Sequence, residues 1–176
     1  MKAHLALVGF MGAGKSTIGK RLAVELNLPF VDTYAEIVAE HGPIPQIFKR
    51  EGDAGFRQRE FEAVRAALAG PPAVIALGGG AVTHEPTRAL LAERALRVYL
   101  EVPLSVLLLR LRRSRTVRPV LGASAAETRV RELLAERAPL YREAEIVVAA
   151  GERSRAAVVY EIAQLARAHA GLTLAS

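Results

Sequence analysis

The sequence predicts an α/β fold of three layers, in which a five-stranded parallel sheet is covered by helices on both faces. Short apolar runs alternate with longer amphipathic stretches along the 176 residues, a pattern typical of parallel strands joined by right-handed helical crossovers. The runs are apolar at nearly every position, as in strands buried on both faces. Because 51% of the residues are hydrophobic, one core can form, and we treat residues 1–176 as a single domain.

Each strand is predicted from a short run rich in Val, Leu, Ile and Ala that is bounded by turn residues. The five runs span 4–8, 30–32, 73–77, 97–101 and 146–148. Between them, apolar residues recur at helical spacing, most clearly over 16–26, 56–69 and 130–137. We expect helices there, each with an apolar stripe against the sheet.

Two segments interrupt this alternation. The first spans 41–45 and the helix after it, and the second spans 112–124, which is dense in Arg, Ser, Thr, Gly and Pro. A stretch of that length without structure of its own is typical of functional lids or disordered segments. We expect 112–124 to be a mobile lid.

The most specific motif directly follows the first strand. Residues 9–17, Gly-Phe-Met-Gly-Ala-Gly-Lys-Ser-Thr, match G-x-x-x-x-G-K-[ST] and open a predicted helix, which argues against an incidental glycine turn. In such a P-loop the backbone N–H groups and the helix N-terminus bind phosphate oxygens. Lys15, which we expect to be exposed on its loop, would reach the β- and γ-phosphates, and the Ser16 hydroxyl would bind Mg²⁺. The predicted nucleotide contacts are Gly12, Ala13, Gly14, Lys15, Ser16 and Thr17.

Asp32 stands at the C-terminal end of the second strand, where open α/β sheets bind their ligands. Its carboxylate suits Mg²⁺, which prefers oxygen ligands and keeps several waters. Asp is also a good helix N-cap, and Asp32 precedes Thr33 and a helical run, so a purely capping role is the alternative.

Two further features are ambiguous when taken alone. Gly78, Gly79 and Gly80 follow the third strand at the same edge of the sheet, where they allow a ligand close to the backbone or simply form a flexible turn. Arg57 and Glu60 are three residues apart on one helix and could form an ordinary surface salt bridge.

Composition narrows the function classes. The chain has no cysteine, which excludes disulfides and thiol chemistry and fits a cytoplasmic location. We expect no export signal and no membrane span. The net charge of +6 could serve nucleic-acid binding, but the arginines are spread over every predicted helix and no basic motif is interleaved with aromatics. An arginine-rich kinase for anionic substrates explains the charge equally well, and we expect no nucleic-acid partner.

Taken together, these features resemble a shikimate kinase, a relative of the nucleoside monophosphate kinases, over nearly the whole chain. The similar features, in matching order and spacing, are the P-loop, Asp32, Phe56-Arg57-x-x-Glu60, the run 77–82, Thr116-Val117-Arg118-Pro119 and Arg137-Ala138-Pro139-Leu140-Tyr141. The resemblance implies a P-loop kinase fold with a mobile lid at 112–124 and a substrate-binding helical segment at about 33–61. It also implies ATP and Mg²⁺, with transfer of the γ-phosphate to the 3-hydroxyl of shikimate on the route to chorismate and the aromatic amino acids.

The resemblance also implies roles for single residues. Arg57 and Arg137 would grip the shikimate carboxylate, Glu60 would orient Arg57, and the loop Gly78, Gly79 and Gly80 would contact shikimate through its backbone. A guanidinium fork suits a planar carboxylate. Lys15, Asp32 and Arg118 would be catalytic, with Arg118 reaching the ATP phosphates when the lid closes; a solvated lid arginine is the alternative. Arg110 and Arg153 are further nucleotide candidates, although Arg110 is one place out of register with the family's adenine-stacking arginine. Nothing demands more than a monomer.

Tyr34 departs from the family pattern. The family shows Asp-x-Asp after the second strand, whereas this chain has Asp32-Thr33-Tyr34. The missing carboxylate would meet the accepting hydroxyl, and a phenol is a poor proton acceptor at neutral pH. Three interpretations stay open: a shikimate kinase with weaker or rearranged acceptor contacts, a P-loop kinase for another small hydroxylated acid, or a non-catalytic ATP-binding protein. A P-loop kinase for gluconate or a nucleoside monophosphate is the runner-up to shikimate kinase. Since phosphoryl transfer depends mostly on positioning and electrostatics, the enzyme interpretation is preferred.

Overall fold

A computed structural model describes residues 2–114 and 127–169, and within them it confirms the predicted three-layer α/β fold. The five strands form one parallel sheet in the order β2-β3-β1-β4-β5. They are β1 (His4–Val8), β2 (Phe30–Asp32), β3 (Val74–Ala76), β4 (Ala95–Glu101) and β5 (Ile146–Ala149). The helices are α1 (Lys15–Leu26), α2 (Thr33–His41), α3 (Ile44–Ala69), α4 (Glu85–Arg94), α5 (Leu104–Arg113), α6 (Glu127–Tyr141) and α7 (Arg155–Ala168), with a 3₁₀ turn at Ala81–Thr83.

The central strands are buried on both faces, which explains their continuous apolar sequence. All five residues of β1 are buried, and β1 pairs with β3 on one side and β4 on the other. At the edge, β5 alternates buried and exposed residues because only one of its faces is covered. The strand order brings the carboxyl ends of β1, β2 and β3 to one edge of the sheet, where a parallel sheet forms its ligand crevice.

Helix α3 joins two predicted segments, the helix after 41–45 and the stretch 56–69, into one helix that begins at Ile44. Pro43 precedes its first turn and Gly52, with φ at +69°, interrupts its helical backbone. The first part of α3 packs with α2 around a small hydrophobic cluster separate from the main core. This satellite cluster consists of Ile37, Ile44, Ile47 and Phe56, with Tyr34, Phe48 and Ala63 packed against it.

No helix within 2–114 and 127–169 has the length and apolar character needed to cross a bilayer.

Glu145 directly precedes β5 and bonds to Arg97 of β4 and to Lys2, which precedes β1. Its carboxylate accepts hydrogen bonds from the Arg97 backbone N–H at 2.9 Å and from the Arg97 guanidinium at 3.1 and 3.2 Å, and it pairs with Lys2. Partial burial raises the pKa of this carboxyl, but the hydrogen bonds from Arg97 and Lys2 outweigh burial and hold the pKa at about 2. Glu145 is therefore ionised throughout the neutral range.

We expect Glu145→Gln to lower the free energy of unfolding at pH 7 by about 1–2 kcal/mol, after allowance for solvent screening at this partly exposed site. The folded-state pKa lies below the ordinary value of 4.5, so the stabilisation is complete above that value and disappears as the pH falls towards about 2. Urea denaturation should show a smaller deficit at acidic pH than at neutral pH. Glu152→Gln, at an exposed glutamate, is the control. A deficit that does not change with pH would contradict the role of ionised Glu145.

Candidate active site

A cavity of about 550 Å³ opens at the carboxyl edge of the sheet and joins two sets of predicted residues. One set belongs to the P-loop and the end of β2, and the other to α3, α6 and the loop after β3. The predicted residues that line it are Gly12, Gly14, Lys15, Ser16, Thr17, Asp32, Tyr34, Arg57, Gly78, Gly79, Gly80 and Arg137. The fold thus places the phosphate loop and the two buried arginines around one space.

The P-loop connects β1 to α1 through a turn that requires glycine. Gly14 caps α1 with φ at +98°, a conformation that favours glycine. Lys15 is the first residue of α1, and its Nζ donates to the carbonyl oxygens of Gly9 at 2.7 Å and Phe10 at 2.8 Å. The expectation of an exposed Lys15 is wrong: the residue is only 8% exposed because it folds back over its own loop. Lys15 nevertheless lines the cavity at the N-terminus of α1.

Asp32 caps α2 and also contacts the P-loop. Its Oδ1 accepts a hydrogen bond from the Ala35 backbone N–H at 3.2 Å, which caps α2. Its Oδ2 accepts a hydrogen bond from the Ser16 hydroxyl at 2.5 Å. A carboxylate and a hydroxyl in direct contact beside the phosphate loop fit Mg²⁺ bound largely through water and phosphate oxygens. They do not form an all-protein cage, since the described part of the chain contains no group of three or more His, Cys, Asp or Glu suited to a metal.

Arg57 and Glu60 form a buried ion pair, so the surface-pair interpretation is wrong. Arg57 is 9% exposed and Glu60 is 2% exposed, and Arg57 Nη1 donates to Glu60 Oε2. Burial raises the pKa of the Glu60 carboxyl, while the charge and hydrogen bond of Arg57 oppose that rise. The second buried arginine, Arg137, is 4% exposed and reaches the same cavity from α6. Among the described residues the Nε atoms of Arg57 and Arg137 are buried without a hydrogen-bond partner, so the protein itself does not fully satisfy either guanidinium.

The glycines after β3 are needed because three groups approach the backbone closely. A Cβ atom at Gly78 would collide with the Glu60 carboxylate, and one at Gly80 would collide with the Arg57 guanidinium. At Gly79 it would lie 2.9 Å from the Met11 backbone nitrogen in the P-loop. We call residues 78–80 the glycine loop. It is a packed element between the ion pair and the P-loop rather than an unconstrained turn.

Three predicted nucleotide contacts are not brought into the cavity wall. Arg110 lies against the P-loop backbone, where its guanidinium donates to the carbonyl oxygens of Gly12 at 3.1 Å and Ala13 at 3.2 Å. Arg153 pairs with Glu161 in the segment after β5. Ala13 is buried at 2% exposure and does not line the cavity. Arg118 and most of the predicted lid lie outside the described residues.

Tyr34 occupies the first turn of α2, two residues after Asp32. It lines the cavity and packs against the satellite cluster. Tyr34 shares this cavity with the P-loop and with the buried Arg57 and Arg137. A phenol therefore stands where the resemblance leads one to expect a carboxylate.

The sequence interpretation missed two kinds of residue. Ile44 and Phe48 form apolar parts of the wall, and nothing in their sequence context distinguishes them from core residues. Tyr141 was quoted only as part of a motif, yet it is fully buried and its hydroxyl donates to the Gly79 carbonyl oxygen. A buried tyrosine generally needs a partner for its hydroxyl, and this was the available signal.

Comparison with known proteins gives a consistent picture. The family model described as shikimate kinase matches residues 11–167. A shikimate kinase of Nitrobacter winogradskyi is 50% identical over 146 residues, covering 82% of this chain and 68% of the relative, and one of Halorhodospira halophila is 49% identical over 156 residues, covering 87% and 88%. Among solved structures, the shikimate kinase of Acinetobacter baumannii in complex with shikimate is 38% identical, with a TM-score of 0.88, and the match covers 94% of this chain and 93% of that one.

Proposed function

The chain belongs to the shikimate kinase family, and from this we propose that it transfers the γ-phosphate of ATP to the 3-hydroxyl of shikimate, giving shikimate 3-phosphate and ADP. One observation carries the proposal. Two buried arginines with unsatisfied Nε atoms share a cavity with a complete P-loop. A small carboxylate that enters this cavity gains charged partners and lies next to the phosphate donor.

The nucleotide half of the site binds ATP through the loop ahead of α1. Backbone N–H groups from Gly12 to Thr17 surround the phosphate oxygens, and the N-terminus of α1 adds its partial positive charge. When ATP binds, the Lys15 ammonium leaves the carbonyl oxygens of Gly9 and Phe10 and pairs with the β- and γ-phosphates. There it stabilises the negative charge of the transferring group. Ser16 and Asp32 hold Mg²⁺, which neutralises phosphate charge when bound. Arg118, Arg110 and Arg153 remain predictions for contacts to the nucleotide.

The acceptor half binds the carboxylate of shikimate between Arg57 and Arg137. Both guanidinium groups are already held in place, since Arg57 pairs with Glu60 and Arg137 is buried on α6. Little conformational entropy is therefore lost when the acid binds, and its ring is oriented by two forked donors. The backbone of the glycine loop contacts the acid beside Arg57. The ring then presents a hydroxyl towards the P-loop.

Tyr34 supplies the contact to the accepting hydroxyl in place of a carboxylate. Its position in the cavity wall near Asp32 supports a hydrogen bond to that hydroxyl. General bases typically contribute about 10²- to 10⁴-fold to a rate, whereas positioning and electrostatics dominate phosphoryl transfer. The absence of the carboxylate is therefore compatible with a working kinase.

The direct test is release of ADP with ATP·Mg²⁺ in the presence and absence of shikimate. We expect turnover that depends on shikimate and is abolished by chelating Mg²⁺. Parallel assays with gluconate and with a nucleoside monophosphate distinguish a kinase for another acceptor. ATP binding without turnover on any of these acceptors would instead favour a non-catalytic ATP-binding protein and would refute the proposal.

We expect Tyr34→Asp to raise kcat for shikimate by about tenfold, less than a full general-base contribution because positioning already dominates. The loss of the ring from the satellite cluster is expected to cost about 1 kcal/mol of stability, so kcat is measured per folded active site. Tyr34→Phe, which removes only the hydroxyl, is the matched control. If Tyr34→Asp folds correctly and binds ATP but turns over no faster than the parent, the missing carboxylate does not limit the rate of the parent.

The chain is further proposed to act as a cytoplasmic monomer without a nucleic-acid partner. The absence of cysteine supports a reducing compartment. Several arginines of the described residues are paired with carboxylates, some within one helix and some between helices, which supports a surface without a continuous basic stripe. Light scattering and a nucleic-acid binding assay at physiological salt test these two statements.

A further inference from the structure

Tyr141 is a buried polar group next to the proposed acceptor site. It is the last residue of α6 and has no exposed surface. Its ring stacks on Tyr99 of β4, with the ring centroids 5.2 Å apart and an interplanar angle of 27°. Stacking on the sheet fixes the ring plane and therefore the direction of the hydroxyl. Removing the hydroxyl alone would leave this packing in place.

The Tyr141 hydroxyl lies between two parts of the acceptor site. It donates a hydrogen bond to the carbonyl oxygen of Gly79, in the middle of the glycine loop. On its own helix, Arg137 lies one turn earlier, since residues four apart share a helix face, and the Arg137 guanidinium lies near the hydroxyl. Burial raises the pKa of the Tyr141 hydroxyl, and nearby Arg137 opposes the rise. The phenol is thus protonated, and able to donate, throughout the neutral range.

The glycine loop has little freedom to move without disturbing its neighbours. Gly78 and Gly80 are pressed against the buried Arg57–Glu60 pair, and Gly79 faces the P-loop backbone at Met11. A displacement of the Gly79 carbonyl would therefore shift backbone on the acceptor side of the cavity. The hydrogen bond from Tyr141 is the described side-chain contact that holds this carbonyl.

We propose that Tyr141 is a positioning residue for the acceptor: its hydroxyl fixes the glycine loop and the Arg137 guanidinium in the arrangement that receives the carboxylate. The role rests on the proposed function. Tyr141 does not line the cavity and so acts through Gly79 and Arg137 rather than by touching the substrate. A residue of this kind affects acceptor binding more than nucleotide binding.

The test compares Tyr141→Phe with Tyr99→Phe. Both variants retain the stacked rings, but only the first removes the donor to Gly79. We expect Tyr141→Phe to raise KM for shikimate by about tenfold, because the partly buried Gly79 carbonyl oxygen loses its hydrogen-bond donor. KM for ATP should change by no more than about twofold. Tyr99→Phe should leave both values unchanged. A purely structural role would instead lower the melting temperature and raise both KM values together, and that outcome, or an unchanged KM for shikimate, would overturn the proposal.

A second measurement separates this proposal from the proposed function. Amide hydrogen exchange of the substrate-free protein reports on peptides that cover 77–84, where Ala81 N–H donates to Gly78 O and Thr83 N–H donates to Gly80 O. We expect faster exchange there in Tyr141→Phe but not in Tyr99→Phe. If the parent ignores shikimate, the function is wrong, and the exchange result alone decides whether Tyr141 fixes the loop. Equal exchange in the two variants refutes the positioning role.

Discussion

Lys15→Ala is expected to lower kcat by about a thousandfold or more while leaving the fold intact, because the substitution removes a preorganised cation at the transferring phosphate. The structure explains why the side chain is preorganised. The ammonium is held within the P-loop by the carbonyl oxygens of Gly9 and Phe10, 2.7 and 2.8 Å away. The core beneath the loop does not depend on these two hydrogen bonds, so circular dichroism and the melting transition should change little. The measurement is shikimate-dependent ADP release at saturating concentrations of both substrates.

Lys20→Ala is the matched control for Lys15. Lys20 lies on the same helix, α1, but is exposed, and its removal changes the net charge by the same amount. We expect this variant to keep the parent's activity. If Lys15→Ala retained activity within about tenfold of the parent, the P-loop would not be the phosphate site of this enzyme.

Arg57→Ala and Arg137→Ala are each expected to weaken shikimate binding by about 1.5–3 kcal/mol, the range for hydrogen bonds to charged groups. This corresponds to about 10- to 150-fold in Kd. Both guanidinium groups are buried in the cavity wall. When one of them is removed, few water molecules can replace it as a hydrogen-bond partner of the bound carboxylate. Calorimetric titration with shikimate measures the loss. Arg131→Ala, at an exposed arginine on the same helix as Arg137, should bind normally.

The two arginine variants are expected to differ in stability. Arg57→Ala leaves the Glu60 carboxylate buried without its partner, and breaking a buried pair in this way typically costs about 3–5 kcal/mol. Adding Glu60→Gln should restore part of that stability without restoring shikimate binding. Normal shikimate binding by both single variants would show that the acid is held elsewhere.

Local patterns were sufficient to predict the elements that position the phosphate site. The apolar run at 4–8 and the motif at 9–17 predicted β1, the P-loop and α1, because buried parallel strands and phosphate loops each have a local signature. Strand β4 begins two residues earlier than predicted, at Ala95, because its pairing with His4 of β1 extends it. The helix after 41–45 was predicted without exact bounds, since Pro43, Pro45 and Gly52 are all unfavourable for a helix by local propensity.

Long-range contacts account for what the sequence did not predict in the site. Helical spacing indicated that Arg57 and Glu60 could pair, but burial of the pair depends on the glycine loop, which comes from another part of the chain. In the same way, the partner of the Tyr141 hydroxyl is a backbone carbonyl 62 residues away. The exposure expected for Lys15 was wrong for a different, local reason, because the side chain turns back onto its own loop. Such contacts leave no local periodicity in the sequence.

Because the satellite cluster is separate from the main core, substitutions near it are expected to affect the stability of the rest of the protein less than substitutions in the main core. Helix α2 and the first part of α3 pack around Ile37, Ile44, Ile47 and Phe56, apart from the main core below the P-loop. Substitutions within 33–51 are therefore expected to disturb this small local core more than the main core. A library of variants confined to 33–51 should accordingly yield a high proportion of folded, ATP-binding proteins. In evolutionary terms, this segment can explore new acceptors while the phosphate donor site is conserved.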